Sequence, residues 1–351
     1  MLKIGIVGYG KMGRLRQERM ERSGRGKVVA VCDPYSKPAG LEGIDVYDRW
    51  QDLVELPQLD AIFIATANAY NHPVTIAAMQ AGKHVFCEKP PAMNGDQVAE
   101  IIQVESATKR KLMYGFNHRQ HGAVKQMRSL IDSNRFGRIL WMRGRYGKSV
   151  DADFLNTWRA NKQLSGGGIM IDQGIHMLDL LLYLGGPFDE VQAMVSSLYW
   201  HQPGIEDNVF ANFRNSKTGL VASLHSTMTQ WRHLFSLEVF LECGYMVLNG
   251  LKTSSNSYGQ EQLSVAMNRS KAPAAIWEDE ERLTYETDTS WDTEMRMFFD
   301  AIENDTPVES GNSAQALEVM RLIDRIYSHE RHESEILYTD LNARRTAKSE
   351  L

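Results

Sequence analysis

The chain has 351 residues, enough for two domains, and its 43% hydrophobic and 24% charged residues describe a folded protein rather than a disordered one. A formal charge of −5 recommends neither a nucleic-acid surface nor an anionic membrane. Cys32, Cys87 and Cys243 lie far apart with no CxxC pair, so no zinc or redox centre is expected.

The opening MLKIGIVG enters a strand without a basic n-region, and no apolar run is long enough to span a bilayer. A cytoplasmic protein with reduced thiols is expected. Ile4, Ile6 and Val7 read as a short buried strand, and Gly8, Gly10 and Gly13 follow at G-x-G-x-x-G spacing. Met12, Leu15 and Met20 then supply the apolar face of a helix running to about Ser23. In such a strand–turn–helix unit Gly8 makes the turn, Gly10 admits a pyrophosphate, and Gly13 lets helix and strand pack closely. Unpaired N–H groups and the helix dipole favour the phosphate charge. A second strand, Val28–Cys32, ends at Asp33, where the ribose-binding acid of a dinucleotide site belongs. A carboxylate there favours NAD over NADP, although Lys37 is close in sequence.

Segment 34–50 is turn-rich, and a short helix is expected near Leu53. Asp60–Ala65 is a buried strand, His72–Ala81 a helix stopped by Gly82, and His84–Cys87 the next strand. Asn94 caps a helix to about Thr108, and Leu112–Phe116 closes the series. This alternation predicts a doubly wound parallel sheet over residues 1–121. Residues 122–351 have a different grammar: a helix near Ala123–Ser133, a strand at Ile139–Arg145, a polar loop to Ser165, then Gly166-Gly167-Gly168 and an apolar helix to Leu184. Hairpins are expected about Asn215–Gly219 and Glu242–Gly244, and helices at Trp291–Glu303 and Ala314–Tyr327. The expected second domain is α+β, with an open, mainly antiparallel sheet, helices on one face, and oligomerisation through the other. The polar tail from Thr339 is expected to fray.

Two further stretches carry chemistry. Cys87-Glu88-Lys89-Pro90-Pro91 lies at the carboxyl end of a strand, which places Lys89 over the cleft of an open α/β sheet. Asp172, His176 and Asp179 form a polar stripe on the glycine-led apolar helix, and such a stripe is costly to bury unless its groups are paired or used. A carboxylate four residues before a histidine can orient an imidazole.

The order GYGKMG, Asp33, Ala65-Thr66-Ala67-Asn68 with His72, Glu88-Lys89-Pro90 and GGG-x3-D-x-G-x-H-x2-D resembles the Gfo/Idh/MocA oxidoreductase family over nearly the whole chain. Ala67 departs from it, since many members have proline there. The resemblance implies a Rossmann domain, a C-terminal domain whose sheet builds dimers or tetramers, and a nicotinamide cofactor. That cofactor would be held by Gly8, Tyr9, Gly10, Lys11, Met12, Gly13, Asp33, Thr66, Asn68, His72, Glu88, Lys89 and Asn117. Lys89, Asp172 and His176 match the family's catalytic residues, a cis bond often joins the lysine to Pro90, and Trp158-Arg159 match positions that reach the substrate. A sugar, polyol or nucleotide-linked sugar is the expected substrate. His176 would act as base toward a secondary alcohol, Asp172 would orient it, and Lys89 would stabilise the alkoxide. Trp158, Trp200 and Trp231 are candidates to stack on a sugar ring. Arg119, Arg143, Arg145, Arg159 and Arg232 are candidates for a phosphate. Two other readings remain open: a redox-neutral, NAD-dependent glycoside hydrolase and a non-catalytic NAD-binding regulator.

Overall fold

The computed structural model describes residues 1–33, 41–267 and 276–329. Lys37 and the tail beyond residue 329 lie outside the described residues.

The first half alternates as expected. The elements are β1 (Leu2–Val7), α1 (Lys11–Ser23), β2 (Gly26–Cys32), β3 (Asp45–Tyr47), α2 (Trp50–Val54), β4 (Ala61–Ile64), α3 (Asn71–Gln80), β5 (His84–Cys87), α4 (Gly95–Thr108) and β6 (Leu112–Tyr114). Every strand pairing is parallel and the order is β3-β2-β1-β4-β5-β6. The order reverses between β1 and β4, so the carboxyl ends of these strands open the crevice where ligands of such sheets bind. The caps follow their residues. The Asn94 side chain accepts from the Gln97 N–H at 3.0 Å, and Gly82, at φ 79°, ends α3.

The second half contains α5 (Gly122–Asp132), β7 (Ile139–Ser149), the single-turn α6 (Lys162–Ser165) and α7 (Ile175–Gly185). Strands β8 (Glu190–Ser196), β9 (Asn208–Arg214), β10 (Val221–Thr227), β11 (Thr229–Leu241), β12 (Gly244–Asn249), β13 (Glu261–Met267) and β14 (Glu281–Tyr285) follow. They form an eight-stranded sheet in the order β14-β13-β12-β11-β7-β10-β9-β8, antiparallel except where β10 runs beside β7. Both expected hairpins are present, as β9–β10 and β11–β12. Helices α5 and α7 pack on one face. The other face carries a row of stacked rings, with Trp141 on Phe240 at 4.1 Å and Phe240 on Tyr245 at 5.1 Å.

The last two helices depart from the division at residue 121. Helix α8 (Ser290–Glu303) returns to the first sheet, where Phe298 meets Phe63 and Phe86 edge-on at 5.5 and 5.6 Å. Phe298 and Phe299 are fully buried with Ile4, Ile6, Val28 and Val31, so the nucleotide-domain core is completed from the far end of the chain. The final helix, α9 (313–329), docks against α4, where Asp324 accepts from the Gly95 N–H at 2.8 Å. No helix of the described residues is long and apolar enough to cross a membrane.

Candidate active site

The glycine loop performs three separate jobs. Gly8 sits at φ 91°, and a Cβ there would lie 2.4 Å from the Ala65 carbonyl oxygen. A Cβ on Gly13 would lie 2.2 Å from the Gly8 carbonyl oxygen, which is the close helix–strand approach. Gly10 meets nothing within 4 Å, so its backbone faces open space. Helix α1 has no side-chain cap and no acid in its first turn, so its leading N–H groups are left for an anion. The open space is a cleft of about 1510 Å³ whose walls include Gly8, Gly10, Asp33, Thr66 and Ala67 from the first domain and Trp158 and Arg159 from the second. These features fit a dinucleotide. Asp33 also accepts from the Tyr9 N–H at 2.8 Å, tying the glycine loop to the end of β2.

Beyond β5 the chain delivers Lys89, whose bond to Pro90 is cis. Its ammonium donates to the Asp172 backbone carbonyl and lies 3.5 Å from the Asp172 carboxylate. Two more cations converge on that carboxylate, Lys148 and Arg159, each at 3.3 Å, and Gln173 donates to it at 3.4 Å. Burial alone would raise the Asp172 pKa, but Lys148, Arg159 and Lys89 together hold it well below the usual carboxylate range. Burial lowers the Lys89 pKa, while Asp172 opposes that shift.

His176 is near enough to Lys89 and Asp172 to feel their charges but is not held by Asp172. Among the described residues Asp172 is engaged by the three cations and Gln173, and the His176 Nδ1 has no hydrogen-bond partner. The expected carboxylate–imidazole pair therefore does not form. The reason is local: Met170–Gly174 is a π-turn, and in its wider winding residues four apart do not stack as they do on an α-helix. What orients the His176 ring instead is His118, stacked on it at 3.9 Å and 15°. His118 is itself fixed by Asn117 Oδ1 at 3.0 Å and the Tyr146 hydroxyl at 3.1 Å. Burial, then the charge of Lys89, holds the His176 pKa well below its ordinary value, so the ring is neutral.

Other expected residues stand elsewhere. Arg119 is buried and forks onto Asp179, with Nε donating to Oδ2 at 2.8 Å and a third bond to Gln315 at 2.7 Å. It joins β6, α7 and α9 and cannot reach a phosphate. His72 turns to Glu100 of α4 at 2.9 Å, away from the cleft. Glu88 is taken by the buried Arg16, at 2.7 Å, which also holds Glu294 at 2.8 Å. Asn68 donates to the Ser165 carbonyl at 2.7 Å and lines a small cavity beside Asp172, and Asn117 donates to Ser290 at 3.1 Å. The Tyr9 phenol is drawn to Gln17, and Lys11 and Met12 lie on α1 outside the cleft wall. Arg143 pairs with Glu238 at 2.7 Å, while Arg145 and Arg232 are not in either cavity wall. Trp200 packs on Phe154, and Trp231 is 87% exposed.

Lys148 and His118 belong to the site without any motif that marks them. Lys148 continues the inward alternation Met142, Gly144, Tyr146 along β7, a period that runs past the expected end of the strand at Arg145. His118 follows the carboxyl end of β6, the edge where such sheets place their chemistry.

A doubly wound sheet with a glycine-loop cleft, joined to an open-sheet domain that contributes Trp158 and Arg159 to the cleft wall, defines a two-domain Rossmann protein. The family profile described as oxidoreductase family, NAD-binding Rossmann fold, matches residues 2–116, and the GFO/IDH/MocA C-terminal domain profile matches residues 124–247. The chain belongs to the Gfo/Idh/MocA family. It is 33% identical over 219 residues to levoglucosan dehydrogenase of Pseudarthrobacter phenanthrenivorans, covering 58% of this chain and 56% of that protein. It is 29% identical over 258 residues to 1,5-anhydro-D-fructose reductase of Ensifer adhaerens, covering 72% of each. A solved levoglucosan dehydrogenase in complex with NADH has the same fold, with a TM-score of 0.81, 23% identity and coverage of 95% of this chain and 97% of that one.

Proposed function

We propose that this protein is an NAD-dependent dehydrogenase that oxidises a secondary alcohol of a sugar or polyol, or reduces the matching ketone. The observation that carries the reading is a buried Lys89 close enough to a neutral, buried His176 to depress its pKa, with Lys89 paired to Asp172 and Asp172 to Arg159, which lines the glycine-loop cleft. Bound NAD supplies the hydride acceptor. His176, held neutral, is in the form that takes the hydroxyl proton as the alcohol is oxidised, and it returns a proton in the reverse direction. Lys89 places its ammonium beside the oxygen that becomes an alkoxide, in a site where burial strengthens the interaction. Asp172 acts on the ammonium rather than on the imidazole: by holding Lys89, Lys148 and Arg159 it keeps three like charges together in one pocket. The stacked His118 sets the plane of the His176 ring. The curated relatives' names and the family profile support this reading, and we extend it to an oligomer formed through the open face of the second sheet.

Lys89→Met and His176→Asn should each lower kcat by about 10²-fold or more with NAD binding retained, since a positioned general base and an oxyanion-type donor are each worth that much. NAD titration followed by NADH absorbance against a panel of sugars and polyols checks this. Wild-type turnover in both variants would sink the assignment.

A further inference from the structure

The cations around Asp172 outnumber the anions. Lys89, Lys148 and Arg159 all lie within 3.5 Å of one carboxylate. Asp172 neutralises one of these charges, and on the reading above the developing alkoxide answers a second, that of Lys89. One cation is left unmatched, and the side chains of Arg159 and Lys148 are 37% and 24% exposed, open to an incoming ligand. Among the described residues no other carboxylate pairs with Lys148 or Arg159. Glu206, whose contacts reach the Gly168 side of the small cavity, is already consumed by the N–H groups of Gly168 and Met170 and by the Tyr327 hydroxyl.

The arrangement of Arg159 shows what the missing partner looks like. Its guanidinium lies over the Trp158 ring, 4.4 Å from the centroid, which fixes its plane. Among the described residues its one hydrogen bond runs from Nε to Asp172, so the outer edge of the fork is uncommitted. Arg159 lines both the large cleft and the small cavity beside Asp172, and Lys148 also lines the small cavity. A flat guanidinium edge next to an ammonium is a seat for a planar, bidentate anion. The small cavity holds about 10 Å³ of free volume, roughly one water molecule, so an anion on Arg159 must occupy the large cleft that the same side chain lines. The charge count agrees: one unmatched cation calls for a monoanion, whereas a phosphate ester brings about −1.5 to −2 at neutral pH.

We propose that the substrate is a sugar acid, an aldonate or a uronate, whose carboxylate sits on Arg159 and Lys148 while a hydroxyl on the same molecule faces Lys89 and His176. The proposal rests on the dehydrogenase reading for the role of the hydroxyl and for the count of one unmatched cation, while the anion seat itself stands on the placement of Arg159 and Lys148. The site then separates two jobs: Lys89 answers the reacting oxygen, and Arg159 with Lys148 holds the molecule by its acidic end.

The test is a binding measurement that does not require turnover. NAD-loaded protein is titrated calorimetrically with D-glucuronate, D-galacturonate and D-gluconate, and with D-glucose, D-galactose and D-glucitol as their neutral counterparts. At least one acid should bind tenfold or more tighter than its neutral counterpart, with affinity falling as salt rises. Arg159→Gln and Lys148→Gln should each reduce that acid-over-neutral ratio about tenfold, and Arg159→Lys should restore it only in part. Unliganded melting temperatures identify which variants are folded, and one folded variant of the pair is enough to read the ratio. Equal or better binding of the neutral sugars overturns the proposal, and so does preference for glucose 6-phosphate over every carboxylate. Tight acid binding without hydride transfer leaves the anion seat standing and removes the dehydrogenase reading instead.

Discussion

Glu294 and the two stacked histidines pull the stability of this protein in opposite directions as pH changes. Burial, reinforced by Glu88 and opposed by Arg16, raises Glu294 from an ordinary 4.5 to about 7. A carboxyl raised in the folded state binds its proton better there, so its contribution is complete below about 4.5 and is lost as pH rises through about 7. His118 and His176 are depressed by burial, so their contribution is present above 6.5 and falls away as acid protonates the unfolded chain. Glu294→Gln removes only the first effect. The difference in urea midpoint between wild type and variant should decline as pH increases from 4.5 to 7, and superimposable profiles would show that Glu294 is ionised throughout. Single residues were also where reading the sequence met its limit. Lys89 and His176 could be placed by their motifs, but the directions of Arg119, His72 and Glu88 could not. Their partners are Asp179, Glu100 and Arg16, and nothing local in the sequence tells which way a polar side chain turns when its counter-ion lies dozens of residues away.

At the level of elements, the glycine turn separates binding from folding within five residues. Gly10→Ala adds a methyl where no atom lies within 4 Å, so melting temperature should hold while NAD affinity drops, because the methyl enters the space reserved for phosphate. Gly13→Ala drives a methyl to 2.2 Å from the Gly8 carbonyl, and stability itself should fall, by about 1–3 kcal/mol if overpacking sets the scale. Thermal melts with and without NAD distinguish the two, and equal losses of stability would refute the division. Most elements were legible from period and caps: α1, α4 with its Asn94 cap, and both hairpins agree with the pattern of their residues. The π-turn at Met170–Gly174 was not, because its sequence carries the same apolar spacing as the α-helix it leads into. That one irregularity moved Asp172 from the imidazole to the lysines, so a winding defect too small for sequence pattern to reveal decided a functional partnership.

For the molecule as a whole, the face of the second sheet away from α5 and α7 is where assembly is proposed. Trp141, Phe240 and Tyr245 stack across β7, β11 and β12, with the Arg143–Glu238 pair beside them. An apolar ladder flanked by paired charges on a broad sheet has the composition of an interface between copies. If the proposed oligomer forms through this face, Phe240→Glu should yield a smaller species than wild type in sedimentation velocity, and an unchanged sedimentation coefficient would count against assembly through it. The two-sheet plan was readable from the change in grammar after residue 121. The return of α8 was not, since an amphipathic helix announces that it will be buried but not against which sheet.

That return bears on how the protein is made. A ribosome that has released only the first sheet leaves Phe63 and Phe86 without the α8 rings that later cover them. At ordinary translation speeds the intervening stretch to Glu303 takes on the order of 10–40 s to synthesise. Through that interval the nascent nucleotide-binding half carries a sticky aromatic flank, which makes it a natural client for chaperones and a poor candidate for expression as an isolated fragment.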